Sequence, residues 1–133
     1  MKDEPEKPAS LSAKISKLPA ILKKKSRPVV ILTTTPDMIT AEKLAYLLVE
    51  NRLAACVNII PEVQSVYHWE GKLTRERETK LLIKTSSACA AGARKFIKAN
   101  HPYKVPEITT LGARGDVAMD AAYWDWLTQY VAP

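Results

Sequence analysis

Two periods organise the apolar positions of this chain. Val29 to Thr34 is a continuous apolar and β-branched run between Pro28 and Pro36-Asp37, which predicts a buried strand. Ala41, Leu44, Ala45 and Leu48 then recur at i, i+3, i+4 and i+7, with Glu42, Lys43 and Glu50 on the other faces. That spacing predicts an amphipathic helix, capped near Asp37 or Thr40 and closed near Asn51. A second strand is expected from about Ala55 through Val57, Ile59 and Val63 to Tyr67, bent or bulged at Pro61, because proline cannot donate to a ladder. Glu70-Gly71 supplies a hairpin turn, and the returning strand runs from about Arg75 to Thr85, with Leu81 and Ile83 two residues apart on one face. Ser86 or Ser87 can cap a second helix with the stripe Ala90, Ala93, Phe96 and Ile97, ended at His101-Pro102 because the residue before proline leaves the helical region. A short strand, Glu107 to Leu111, follows, then a loop marked by Gly112 and Gly115. A last helix is expected to carry Met119, Ala122, Tyr123, Trp126, Leu127 and Tyr130 on its core face.

The order is therefore βαβ, βαβ and a terminal helix. A doubled βαβ unit of this kind predicts an α/β (α+β) sandwich, a four-stranded antiparallel sheet with helices packed on one face. Strand length adds a constraint. From Ala55 to Trp69 at about 3.3 Å per residue the strand spans about 50 Å, whereas a 100-residue domain has a radius of gyration of about 13 Å. The hairpin must outgrow its own domain. Val66, Tyr67 and Trp69 near its tip would form an exposed apolar edge unless another chain pairs with it, so a homo-oligomer is expected.

Charge changes the picture only outside this region. The chain has a formal net charge of +6, but residues 1–27 hold eight Lys or Arg against three acids, and residues 28–133 hold twelve against eleven. The domain is nearly neutral and lacks the basic face and interleaved aromatics of a nucleic-acid groove. Residues 1–27 read as a basic N-terminal extension, Lys-, Pro- and Ser-rich, ahead of a domain over 28–133. Within it Leu11, Ile15, Leu18 and Leu22 follow helical spacing among lysines, suited to an acidic membrane or partner, although Pro19 interrupts the pattern. No apolar run nears the roughly 18 residues of a membrane span, and no secretion signal is recognisable, so a cytoplasmic protein is expected. Cys56 and Cys89 have no C-x-x-C partner and are expected to stay reduced.

Four blocks carry a more specific signal. Arg52-Leu53-Ala54-Ala55-Cys56-Val57-Asn58, Ser65 to Leu73 (SVYHWEGKL), Leu82-Ile83-Lys84-Thr85, and His101 to Ile108 (HPYKVPEI) resemble, in order and spacing, the signature blocks of the CutA divalent-cation tolerance family over about residues 29–131. The resemblance implies a ferredoxin-like sandwich and a homotrimer whose long hairpins pair between subunits. It also implies a role in the response to divalent metal ions, in some members with copper held by a cysteine at the end of the first strand and two histidines before Pro-Tyr. Those three positions fall on Thr33, Asn100 and His101 here. Copper favours sulfur and imidazole donors, so a hydroxyl at Thr33 and an amide at Asn100 leave His101 as the one retained candidate ligand for a divalent cation.

Catalytic chemistry finds no foothold. Cys56 lies within an apolar strand, where a lone cysteine is usually a small hydrophobe, rather than set as a nucleophile against His101; Cys89, near a helix start, reads as structural. A small acylphosphatase-like hydrolase would need an arginine in an anion-cradling loop after the first strand, and Thr33-Thr34-Thr35-Pro36-Asp37 supplies none. Trp69, Glu78, Lys84, Tyr103 and Glu107 are the residues to inspect for a small-ligand pocket at a subunit seam, against the plainer reading that Glu and Lys on strands make cross-strand or intersubunit pairs. Tyr123, Trp126 and Tyr130 read as core, with Trp124 facing elsewhere. The expected function is thus a non-enzymatic trimer of metal-ion tolerance. Its rival is a signalling or adaptor trimer acting through its seams or its basic tail.

Overall fold

A computed structural model describes residues 26–133. The basic extension before Ser26, with its candidate amphipathic segment, lies outside the described residues. The elements are β1 (Pro28–Thr35), α1 (Met38–Glu50), β2 (Cys56–Trp69), β3 (Lys72–Ser86), α2 (Ser87–Asn100), β4 (Thr109–Leu111) and α3 (Ala121–Tyr130). They form one antiparallel sheet in the order β2-β3-β1-β4. This is the expected doubled βαβ sandwich. No helix among the described residues is long and apolar enough to cross a membrane.

The core follows from side-chain alternation on the two central strands. Val29, Ile31, Thr33 and Thr35 of β1 point to one face together with Leu81 and Ile83 of β3, all fully buried. Ala41, Leu44, Ala45 and Leu48 of α1 and Ala93 and Ile97 of α2 cover them. Asp37 caps α1, its side chain accepting from the Thr40 amide at 2.8 Å, and Asn51 closes the helix. The bond to the Thr40 backbone holds the Asp37 carboxyl below its ordinary range. A depressed folded pKa contributes stability that is present above the unfolded value and lost as pH falls through the folded one. Thermal melts should therefore show part of the acid destabilisation between about pH 4 and pH 2 disappearing in Asp37→Asn, which keeps an acceptor but carries no charge.

On α2 the buried stripe is Cys89, Ala93 and Ile97, with Ala90 and Phe96 only partly covered. Ser86 is the cap. The sheet begins and ends differently from its sequence pattern at two places. β3 starts at Lys72 rather than Arg75, because Glu70 and Gly71 both take positive φ, 50° and 76°, and let Trp69 pair directly with Lys72. β4 begins at Thr109 rather than Glu107, because its pairing with β1 runs only from Thr109 opposite Leu32 to Leu111 opposite Val30; the Glu107 carboxylate instead meets Lys80 through Oε1 at 2.9 Å and the Thr109 hydroxyl through Oε2 at 3.0 Å. In α3, Leu127 alone is buried, packing with Ala55, Cys89 and Val131. Tyr123, Trp126 and Tyr130 line up at centroid distances of 5.5 and 5.4 Å and are half-buried, Ala122 is exposed, and Trp124 packs against the same small cluster instead of facing away.

α1 and α2 pack on one face of the sheet, and α3 reaches the end of the other, where Tyr123 meets Cys56. Val30, Leu32, Leu82 and Leu111 lie on that other face by register, with Ile60 beyond them on β2. The β2–β3 hairpin, with strands of 14 and 15 residues or about 45 Å in all, runs on past the end of β1, whose pairing with β3 stops at Thr35 and Thr79. Val66, Trp69 and Leu73 on it are exposed.

Candidate functional site

β2 meets β3 with one irregularity. Ile60 pairs with Lys80 but Val63 pairs with Glu78, so three steps on β2 match two on β3. The extra residue is a β-bulge at Pro61-Glu62, where Glu62 takes a positive φ of 56°. One added residue exchanges the faces of everything after it. The side facing away from α1 and α2 therefore carries Cys56, Asn58 and Ile60 before the bulge and Val63, Ser65, Tyr67 and Trp69 after it.

Val63 and Ser65 stand opposite Glu78 and Glu76 of β3, Ile60 stands opposite Lys80, and the segment after α2 comes back over them. Together they bound a cleft of about 920 Å³ whose apolar wall includes Val63, Trp69, Pro102 and Val105. Glu78 is its most enclosed charge, 7% exposed. The Tyr103 hydroxyl donates to Glu78 Oε2 at 2.7 Å. Tyr67 lies close enough to Glu76 for the carboxylate to act on its phenol. Burial, then the hydrogen bond to Glu78, then the charges of Glu78 and Glu76 push the Tyr103 phenol far above its ordinary range. Burial followed by Glu76 also raises Tyr67. Both phenols stay neutral donors. Lys80 is held by Glu107.

His101 fixes where this segment starts. Its Nε2 lies 2.7 Å from the Thr34 carbonyl and its Nδ1 lies 3.0 Å from the Tyr103 amide nitrogen. A carbonyl only accepts and an amide N–H only donates, so Nε2 carries the proton and Nδ1 is bare. The imidazole is a clamp between the end of β1 and the loop that carries Tyr103, against whose ring it packs at 4.9 Å.

The three positions that the family resemblance assigns to copper do not converge. Thr33 is fully buried on the face toward α1 and α2, Asn100 turns its amide back onto the Phe96 carbonyl at 2.9 Å, and both ring nitrogens of His101 are engaged. This donor set does not fit a copper ion. Among the described residues, no group of three or more His, Cys, Asp or Glu side chains gathers where one ion could be held. Thr33 Oγ1 has no hydrogen-bond partner although it is buried. An unmet buried hydroxyl costs about 1–3 kcal/mol, and a methyl of nearly the same shape does not. Thr33→Val is therefore expected to raise stability by about 1 kcal/mol in denaturant unfolding, and a loss would show that the hydroxyl has a partner.

Of the residues singled out by sequence, Trp69, Glu78, Tyr103 and Glu107 share the cleft, while Lys84 sits apart. It is on the same face but pairs with Val30 and Cys56, two same-face rungs beyond Lys80. Tyr67, Glu76 and Lys80 were not singled out, although their two-residue spacing from Trp69 and Glu78 marks them. Cys56 hydrogen-bonds Tyr123, whose phenol is raised mainly by burial. Cys89 is buried with its thiol 3.1 Å from the Ala132 carbonyl. Neither has His101 as a partner.

The same chain architecture and the same blocks recur elsewhere. The model of the family described as CutA1 divalent ion tolerance protein matches residues 29–130. The divalent-cation tolerance protein CutA of Thermus thermophilus is 43% identical over 101 residues, covering 75% of this chain and 94% of that protein. That of Pectobacterium atrosepticum is 42% identical over 99 residues, covering 74% and 87%. The crystal structure of the divalent ion tolerance protein CutA1 from Ehrlichia chaffeensis superposes with a TM-score of 0.75 at 30% identity, covering 81% of this chain and 98% of that one. A match that runs from β1 to the end of α3, in sequence and in fold alike, places the chain in the CutA1 divalent ion tolerance protein family.

Proposed function

We propose that this protein serves divalent-cation tolerance as a non-catalytic cytoplasmic homotrimer, whose long hairpins pair between subunits and whose cleft at Glu78 and Tyr103 receives a small ligand. The observation that carries the reading is the sheet face that α1 and α2 leave open. It presents Val30, Leu32, Ile60, Leu82 and Leu111, and it continues into a hairpin too long for one subunit to cover. Apolar edges of that extent are usually buried by another chain. The cleft opens on this same face, so its mouth lies at a subunit seam in the trimer.

The tolerance role is supported by the company of relatives named for it. A resident copper ion is not part of the proposal, because His101 spends both nitrogens on backbone groups. The absence of catalysis is supported by the same bonds, since neither cysteine is set against that imidazole as a nucleophile would be. Light scattering on the purified full chain should return three times its 14.8 kDa, and a monomer at micromolar concentration would refute the assembly. Calorimetric titration with Cu(II) should give no saturable micromolar binding; a site of that affinity would restore copper to the function.

A further inference from the structure

The cleft has a chemical character that narrows what it can hold. Its charged groups are three carboxylates, Glu76, Glu78 and Glu107, against two ammoniums, Lys80 and Lys104. Glu107 and Lys80 neutralise each other at 2.9 Å, and Lys104 is exposed at the rim. What remains inside is Glu78, more than nine-tenths buried, with the exposed Glu76 one same-face position further along β3. Glu78 accepts a hydrogen bond from Tyr103 and makes no ion pair among the described residues. Arg75 and Arg77 belong to the opposite face of β3 by alternation. The rest of the lining includes the rings of Trp69, Tyr67 and Tyr103.

An enclosed carboxylate bordered by electron-rich rings attracts a positive charge that carries its own apolar surface. A buried carboxylate without a countercharge is costly, and aromatic rings stabilise an ammonium without asking it for hydrogen bonds. A small metal ion gains less here, since it would keep its water in a site with few hard oxygen donors. An anion would meet the carboxylates. A volume of about 920 Å³ is that of a small-molecule site.

Resting on the reading of the cleft as a ligand site, we propose that the ligand is a small organic cation of the alkylammonium class, held by the carboxylate of Glu78 beside the ring of Trp69. Glu76 adds a second negative charge, and Tyr103 holds Glu78 in place through its hydroxyl. Because Tyr103 is in turn held by His101, the site is organised before the ligand arrives, which lowers the cost of binding.

The test is calorimetric titration of the full-length protein, its oligomeric state followed by light scattering in the same samples. Choline is the probe, compared with the neutral alcohol in which a quaternary carbon replaces its nitrogen and with acetate. Choline should bind saturably, and the neutral isostere and acetate at least about tenfold more weakly. Glu78→Gln, which keeps an acceptor for Tyr103, and Trp69→Leu, which keeps an apolar side chain on the hairpin and whose assembly the light scattering follows, should each weaken choline about tenfold or more. Lys84→Ala, outside the cleft, should leave it unchanged. Equal binding of the neutral isostere, or tighter binding of acetate, would overturn the cation assignment while leaving the cleft a ligand site. Saturable choline binding indifferent to both cleft variants would also overturn it. No saturable heat from any probe would overturn the assignment and the ligand-site reading together, and light scattering judges the trimer separately.

Discussion

Gly112→Ala is expected to cost about 3 kcal/mol or more in stability, measured by denaturant unfolding at fixed protomer concentration. Gly112 takes a φ of +93°, which side chains rarely adopt, and a Cβ built there would lie 2.5 Å from the carbonyl oxygen of Pro28 and 3.0 Å from the Val117 side chain. The first contact is with backbone at the very start of β1. Relieving it means moving the strand that carries Val29 and Ile31 into the core, or opening the turn in which the Gly115 amide donates to the Gly112 carbonyl at 3.0 Å. Neither movement is cheap in a packed sheet. Gly71 in the hairpin turn is the control. Its φ is +76°, but a Cβ there meets nothing within 4 Å, and asparagine tolerates that region. Gly71→Asn should therefore stay within about 1 kcal/mol of the parent. Equal losses at the two glycines would mean that backbone conformation alone, and not the approach of Pro28, sets the cost.

That pair of glycines illustrates what a sequence of this kind reveals and what it withholds. Both mark turns, and both turns were expected, but only the three-dimensional neighbour distinguishes a glycine that could be replaced from one that could not. β1 and α1 were legible because an unbroken β-branched run between prolines and a 3.6-residue apolar spacing are clean signals, and because Asp37 stands where a cap belongs. The overlong hairpin was legible from strand length alone. α3 was read in part: Met119, Tyr123, Trp126 and Tyr130 do pack around Leu127, but a short helix rich in large aromatics does not show how deeply each is covered, and here only Leu127 is enclosed, Ala122 is exposed and Trp124 joins the cluster. The cleft was half legible for a related reason. Trp69, Glu78, Tyr103 and Glu107 drew notice by residue type, but the bulge at Pro61-Glu62 decides that Tyr67 and Trp69 share a side with Glu76 and Glu78. A proline announces a break in a ladder without saying whether one residue or two are inserted, and that number decides which face every later side chain takes. Lys84 was placed with them because charge type carries no information about which rung of the sheet a residue occupies. His101 drew attention as a possible ligand, yet its partner is a carbonyl 67 residues away, a contact that no local pattern encodes.

His101→Ala should lower stability by about 2–3 kcal/mol in protein stripped of metal with a chelator. Two hydrogen bonds vanish, each worth about 1 kcal/mol net, and the half-buried Thr34 carbonyl and the Tyr103 amide lose their partner. The imidazole also leaves a gap beside the Tyr103 ring, 4.9 Å from its own centroid. The consequence should extend past stability. Tyr103 reaches Glu78 from a loop whose first fixed point is His101, so releasing that point should loosen the Tyr103–Glu78 contact and weaken choline binding without removing any group that lines the cleft. Hydrogen exchange at the Tyr103 amide should accelerate at the same time, since its acceptor is gone. A ligand-to-metal role for His101 makes the opposite forecast. It would leave metal-free protein unaltered by the substitution and confine the loss to samples containing copper. A stability difference that appears only when copper is added would therefore reassign this histidine from clamp to ligand, whereas one that is present in chelator and unchanged by copper identifies it as the residue that sets the loop over the cleft.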